Sequence, residues 1–178
     1  MKKVIYYFSF LSVATVFLAA CSKDNTTASS SGNSQFKVRL TDAPTNLDSV
    51  FVDIREVKIK MSDDTLSTDG WISMNTNAAI YDLLLLQNDV DTTISSAIVP
   101  FGTIQQIRLI LGDNNRVVAS GISYPLTIPS GSESGLKINI HKNVSTTLDS
   151  LVIDFNAALS VRRENDGTYK LRPVLQIR

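Results

Sequence analysis

The side chains suited to acid–base chemistry in this 178-residue chain are a single histidine and a scattered set of carboxylates. His141 ends an alternating segment, 136–141, in which it shares a face with Lys137 and Asn139, so we predict a solvent-facing strand position. No Gly-x-Ser-x-Gly turn supplies a nucleophile that His141 would activate. We therefore predict no catalytic residue and no enzymatic activity.

Paired carboxylates, which glycosidases use without a histidine, are the alternative route to hydrolysis. The candidates on or next to predicted strands are Asp42, Asp53, Asp82 and Asp154. Their spacing does not indicate that any two approach each other. Turn capping, pairing with arginines or exposure to water would account for them equally well.

Oxygen-rich turns offer calcium ligands in three places, none with the spacing of an EF-hand. The three groups are Asp63, Asp64 and Asp69; Asp89 and Asp91; and Asp113, Asn114 and Asn115. Turn geometry uses the same residue types. We predict no metal and no cofactor, calcium being the one cation the sequence suggests.

The only cysteine, Cys21, follows a signal-like segment. Lys2 and Lys3 precede the uncharged run Val4–Leu18, which is too short for the roughly 20 residues of a transmembrane helix. The tetrapeptide Leu18-Ala19-Ala20-Cys21 resembles the lipobox of bacterial lipoproteins. That resemblance implies peptidase recognition of Leu18, Ala19 and Ala20, and a diacylglycerol with fatty acyl chains such as palmitate on Cys21.

Three segments follow from these features. Residues 1–20 are predicted to be the lipoprotein signal peptide, 21–34 the lipidated cysteine with a disordered tether, and 35–178 a single folded domain. No aspartate follows Cys21 directly, which by resemblance to sorting signals implies the outer membrane, on its periplasmic face or at the cell surface. The lipid would make the membrane a partner.

Charge argues against nucleic acid as a partner. Removing Lys2 and Lys3 from 17 basic residues leaves 15 against 17 acidic residues, a formal charge of minus two. No run of lysine or arginine is present to contact phosphates. Composition does not identify the protein or glycan partner.

Alternating apolar and polar residues predict an all-β domain. About eight or nine short strands separated by polar turns favour a two-sheet antiparallel sandwich, immunoglobulin-like or prealbumin-like, with a closed barrel as the alternative. Phase changes predict bulges near Arg55–Glu56 and Gln105–Gln106. Alternation over 169–177 predicts a C-terminal strand, which Pro173 would place at a sheet edge, and 81–88 predicts one short helical turn.

Several segments together resemble the bacterial lipoprotein family known as domain of unknown function 4382. They are VRLTDAP at 38–44, VPFGTIQQIRLIL at 99–111, IPSGSESGLKI at 128–138, LVIDFNAALSV at 151–161 and YKLRPVLQI at 169–177. The family pattern has DFDA where this chain has Asp154-Phe155-Asn156-Ala157. The resemblance points to Asp42, Asp154 and Asn156 as a candidate ligand or cation site, which Asn156 would weaken for a cation.

These observations predict a lipid-anchored, non-enzymatic binding or structural module of the cell envelope. A surface glycan-binding accessory protein and a fimbrial or assembly subunit are the alternatives. Of the aromatic side chains a glycan would need, Trp71, Tyr81 and Tyr169 are expected in the core, leaving Tyr124. The loops TDAP and PSGSESG are candidate recognition edges.

Overall fold

The computed structural model describes residues 32–62, 70–128 and 135–178. The predicted signal peptide, the lipobox residues Leu18, Ala19 and Ala20, and the lipidation site Cys21 lie outside the described residues. So do the acidic turn from Asp63 to Asp69 and most of the PSGSESG loop.

The described residues form short strands and two single-turn helices. The strands are β1 (Asn33–Thr41), β2 (Ser49–Met61), β3 (Ile72–Ser73), β4 (Asn75–Thr76), β5 (Ala79–Asp82), β6 (Thr92–Pro100), β7 (Gly102–Leu111), β8 (Arg116–Ala119), β9 (Ile122–Thr127), β10 (Leu136–Val144), β11 (Leu148–Phe155), β12 (Val161–Arg163), β13 (Tyr169–Leu171) and β14 (Leu175–Ile177). A 3-10 helix, η1 (Leu83–Leu86), lies where a short helical turn was predicted, and α1 (Ala157–Ser160) follows β11.

Two open sheets pack together, which confirms the predicted all-β sandwich. The smaller sheet has the order β14-β11-β1-β6-β4, and the larger has the order β10-β7-β2-β8-β9-β13-β12, with β3 and β5 also paired to β2. The sheets are mixed rather than purely antiparallel, because β1 pairs with β11 and β9 with β13 in parallel. Strands far apart in the chain can pair in parallel, whereas a tight hairpin forces antiparallel pairing.

The core lies between the inner faces of the sheets. Along β1, every second residue from Phe36 to Leu40 is fully buried, and β2 and β7 supply the facing aliphatic side chains. The largest fully buried side chains are Phe36, Phe155, Leu40, Ile54, Ile59, Leu83, Ile94, Ile104, Ile107, Leu109, Ile153 and Leu171. This apolar layer holds the strand ends, and hence the loops, in fixed positions.

Both predicted bulges are confirmed. The register between β2 and β7 shifts between Ile54 and Glu56, and again between Lys60 and Met61, opposite the Gln105–Gln106 pair. Each shift restores the apolar phase, so that one face of these long strands stays on the core.

The single C-terminal strand predicted over 169–177 is wrong. The chain forms β13 in the larger sheet and β14 in the smaller sheet, with Pro173 between them. Pro173 has no N–H to donate to a ladder, so the chain leaves one sheet there and joins the other. The edge position predicted for the last strand is confirmed for β14.

The folded domain begins earlier than residue 35. Asn33 and Ser34 pair with Pro100 and Val99 at the start of β1, and the side chain of Ser34 is fully buried. Both side chains are polar, so this part of the strand shows no alternation of apolar and polar residues. The backbone pairing, which has no sequence signature, is what extends the strand.

Candidate functional site

The parallel pairing of β1 with β11 brings two predicted site residues to one end of the sandwich. Thr41 is the register partner of Asp154, so Asp42 and Asp154 end neighbouring strands at the same level. Both are almost completely buried, at 1% and 3% exposure. We call this region, formed by residues 41–48, 83–91 and 156–160, the Asp42 end.

Asp42 joins two separate segments of the Asp42 end. Its Oδ1 accepts a hydrogen bond from the backbone N–H of Ala157 at 2.8 Å, and its Oδ2 accepts one from the Gln87 side chain at 3.3 Å. Burial raises the pKa of Asp42 above its ordinary value of 3.8, the nearby charge of Asp154 adds to the rise, and the hydrogen bonds oppose it. The carboxyl group therefore fastens α1 and the loop after η1 to the end of β1.

Asp154 is neutralised by an arginine. Its Oδ2 accepts hydrogen bonds from Nε of Arg178 at 2.9 Å and pairs with Nη2 at 2.7 Å. Nη1 of Arg178 also lies 3.5 Å from Asp89, whose side chain is exposed. The other oxygen of Asp154, Oδ1, is buried without a hydrogen-bond partner. Arg178 thus supplies the positive charge next to Asp154, and Oδ1 of Asp154 has no hydrogen-bond donor.

Asn156 turns toward the backbone. Its Oδ1 accepts the N–H of Leu159 at 3.0 Å, which makes it the N-cap of α1. Asparagine and aspartate cap helices about equally well, so the departure from the DFDA pattern preserves this structural role. The structure therefore brings Asp42 and Asp154 together, with Asn156 adjacent in the chain but its side chain committed to the helix.

A cation at these three residues stays a prediction. Within the described ranges there is no group of three or more His, Cys, Asp or Glu side chains arranged to hold a metal ion. Among the oxygen-rich turns, Asp89 contacts Arg178, Asp91 pairs with Arg39 at 2.5 Å, and the 113–115 turn binds Asp53.

The loop after η1 is shaped by Thr41 and by unusual backbone angles. The hydroxyl of Thr41 lies within hydrogen-bonding distance of the carbonyl oxygens of Leu86 and Val90, at 2.9 and 2.8 Å. Asn88 and Asp89 both have positive φ, a conformation that asparagine and aspartate tolerate better than most residues. The loop is thereby held close to β1.

Exposed aliphatic side chains occur on the segments that Asp42 fastens. Leu85 on η1 is 74% exposed, Val90 is 50% exposed, and Leu159 on α1 is 46% exposed. An open depression of about 460 Å³ lies alongside, lined by Pro44, Thr45, Asn46, Leu47, Ala158 and Val161. One side is formed by Pro44, the last residue of the TDAP loop predicted as a recognition edge, and by the three residues that follow it.

A third buried carboxylate is Asp53, one of the four candidates that the sequence places on or next to predicted strands. It is fully buried and its Oδ2 accepts hydrogen bonds from Arg55 at 2.8 Å and from the Asn114 side chain at 3.2 Å. Asn115 Oδ1 accepts the Asp53 N–H at 2.9 Å. A Cβ on Gly112 would lie 2.3 Å from Asp53 Oδ2, so only glycine admits this approach. The GDNN turn therefore covers the buried carboxylate of Asp53.

The remaining predicted residues fall in three environments. Asp82 caps η1 by accepting the N–H of Leu84, and His141 is exposed on β10, as expected. The expectation that Tyr124 lies outside the core is wrong, because Tyr124 packs against the core together with Tyr169, their ring centroids 4.9 Å apart and their planes tilted by 41°. The prediction that Trp71 lies in the core is wrong. Trp71 is half-buried, and the Arg108 guanidinium lies 4.0 Å above its ring.

Fold and site together define an all-β sandwich protein in which a buried aspartate, Asp42, accepts a hydrogen bond from Ala157, 115 residues away in the chain. The chain belongs to the family described as Domain of unknown function (DUF4382), which matches residues 33–173. The matched range begins at β1 and includes Asp42, Asp154 and Asn156. No curated protein and no solved structure matches the chain. None of the described helices is long and apolar enough to cross a membrane.

Proposed function

We propose that this protein is a lipid-anchored, non-enzymatic binding module of the bacterial cell envelope, held at the outer membrane through acyl chains on Cys21. The lipobox resemblance of Leu18-Ala19-Ala20-Cys21 supports the anchor. One acyl chain binds a bilayer only marginally, whereas two or three hold a protein there stably. The tether is short, since residues 22–32 separate Cys21 from the first strand and span at most about 40 Å.

The observation that carries the proposal is the direction of β1. The tether enters at Asn33 and the strand ends at Thr41, so the Asp42 end lies roughly 25–30 Å from the point of attachment. Such an arrangement presents the loops around Asp42 away from the attachment point. Loops on a rigid sandwich are the usual carriers of recognition.

The use of the buried carboxylates supports a binding role over hydrolysis. Both oxygens of Asp42, and Oδ2 of Asp53 and of Asp154, accept hydrogen bonds from loop backbone, amide side chains or arginine, while Oδ1 of Asp53 and of Asp154 is buried. A glycosidase requires one carboxyl group to meet the sugar and another to meet water or the anomeric carbon. Here the carboxyl groups hold loops in place.

An assembly subunit is the second candidate, and one observation favours it. Strand β10 is an edge strand of the larger sheet, and beside it runs an open groove of about 390 Å³ lined in part by Ile140, Leu151 and Ile177. An added strand could pair there. The register shift between Asn139 and Lys142 works against such pairing, because bulges and lysines protect free edges.

The anchor is tested by Cys21→Ala with Ser22→Ala as the matched control. In cells fed a clickable fatty acid, the parent and Ser22→Ala should be labelled and fractionate with the outer membrane. Cys21→Ala should lose the label and leave the membrane fraction. Labelling and membrane retention of Cys21→Ala would contradict the proposal.

A further inference from the structure

A row of cations crosses three adjacent strands on the outer face of the larger sheet. Lys58 on β2 is the register partner of Arg108 on β7, and Arg108 is the register partner of Lys137 on β10. Neighbouring strands lie about 4.8 Å apart, so the three side chains form a line with that spacing. Lys60, two residues along β2 from Lys58, extends the same face.

Little negative charge opposes this row. Glu56 lies 3.5 Å from Lys58 and accepts a hydrogen bond from Ser73 at 2.7 Å. Within the described residues, no carboxylate lies within 4 Å of Lys60, Arg108 or Lys137. Among the described residues, these four cations and Glu56 give the face a local charge of plus three, in a chain whose formal net charge is zero.

Arg108 is held in place at the centre of the row. Its guanidinium lies 4.0 Å above the Trp71 ring, a cation–π contact. On another side, Gly135 has a φ of +69° and passes so close that a Cβ would lie 2.9 Å from Arg108 Cγ. Arg108 Nε is buried without a hydrogen-bond partner. The arginine is therefore preorganised, while Lys58 and Lys137 flank it.

Like charges directly opposite each other across strands are destabilising, so the bare row is unfavourable. A polyanion lying across the strands would relieve the repulsion. We propose that this face, Lys58, Lys60, Arg108 and Lys137, binds an acidic polysaccharide. A polymer with one carboxylate per sugar carries its charges about one pyranose unit apart, which is comparable to the distance between strands.

The location of the row favours a polysaccharide over the headgroups of the anchoring bilayer. The tether enters through β1 of the smaller sheet, whereas the row lies on the outer face of the opposite sheet. An acidic polysaccharide is a ligand class that the proposed anchoring role does not supply. Its binding to the purified protein is independent of whether Cys21 is lipidated.

The test is binding of the full-length protein, purified in a non-ionic detergent, to polygalacturonate and to neutral dextran by isothermal calorimetry. The parent should bind polygalacturonate and not dextran, with affinity falling as sodium chloride rises from about 50 to about 300 mM. Lys58→Gln with Lys137→Gln should weaken binding about tenfold or more, with the thermal midpoint unchanged or raised as repulsion is removed.

The matched control is Lys37→Gln with Arg162→Gln, which removes the same charge from other surfaces and should bind like the parent. Equal loss in both double variants would show a net-charge effect and overturn the site. No binding by the parent would also overturn it. Binding to vesicles containing anionic phospholipid, but not to polygalacturonate, would assign the row to the membrane surface instead.

Discussion

At the scale of single residues, the protein handles three buried carboxylates in different ways. Asp154 faces an arginine, Asp53 faces an arginine and an asparagine turn, and Asp42 has only neutral donors. Asp42 lacks a cationic partner, and burial raises its pKa above the ordinary value. The ionised form of Asp42 is thus less favourable in the folded protein than in the unfolded chain.

Asp42→Asn should change how stability depends on pH. A raised folded pKa contributes stability that is present below the ordinary value of 3.8 and is lost as the pH rises through the folded pKa. Asp42→Asn keeps an oxygen to accept the Ala157 N–H and cannot ionise. Between about pH 4 and about pH 7, urea unfolding should show the parent losing stability relative to this variant.

Asp166 supplies a control of opposite sign. Hydrogen bonds from Thr168 lower its pKa, so its contribution is present above 3.8 and lost as the pH falls through the folded pKa. For Asp166→Asn, the parent should therefore gain relative stability as pH rises. The same pH dependence in both variants would disprove the environment assigned to Asp42.

At the scale of elements, side-chain contacts as well as backbone hydrogen bonds hold the short strands in place. β14 pairs with β11 over only three residues, from Ile153 to Phe155, and Arg178 then reaches back to Asp154. The ion pair joins the last strand to the strand that ends beside Asp42. A three-residue edge strand has few backbone bonds of its own, so this contact has a large share in holding it.

Arg178→Ala should destabilise the protein by about 1–3 kcal/mol, because it leaves Asp154 buried and charged. This range is below that of a fully buried pair, since the Arg178 side chain is 45% exposed. Adding Asp154→Asn should recover most of the loss. Arg172→Ala, which removes an exposed partner of Glu164, should change stability by less than about 0.5 kcal/mol. Chemical denaturation of the parent and these three variants measures these values, and a double variant that does not recover stability would refute the pairing.

At the scale of the whole molecule, the sandwich begins before the apolar alternation does. The Phe101 N–H donates to the Gly32 carbonyl at 2.8 Å, and a Cβ on Gly32 would collide with the Phe101 ring. Gly32, which lies in the segment predicted to be a tether, is therefore bound to the turn between β6 and β7. Attachment at this point connects any anchor directly to the central strand of the smaller sheet.

A fragment of residues 32–178 should fold cooperatively with a β-rich circular dichroism spectrum. A fragment starting at residue 35 should fold to the same spectrum but be less stable by about 1–2 kcal/mol, because it lacks the pairing of Asn33, Ser34 and Gly32. Thermal and urea unfolding compare the two. Equal stability would show that the first residues of β1 contribute nothing, and a strongly helical spectrum would contradict the fold.

Local patterns in the sequence determined the elements of this protein. Alternation identified the core faces of β1, β2 and β7, and phase changes located both bulges of β2 and β7. Such features depend on residues two to four positions apart, because residues at that spacing lie on the same buried face of an element. The same patterns predicted the sandwich, the edge position of β14 and the exposure of His141.

Contacts between distant parts of the chain were decided only by the tertiary structure. The parallel pairing that sets Asp42 beside Asp154 joins strands more than a hundred residues apart. Arg178, Gln87 and Gly112 likewise meet their partners only because the folded chain brings distant segments together. The cation row was hidden for the same reason, because Lys58, Arg108 and Lys137 are unremarkable singly and become a row only when the register of three strands is set.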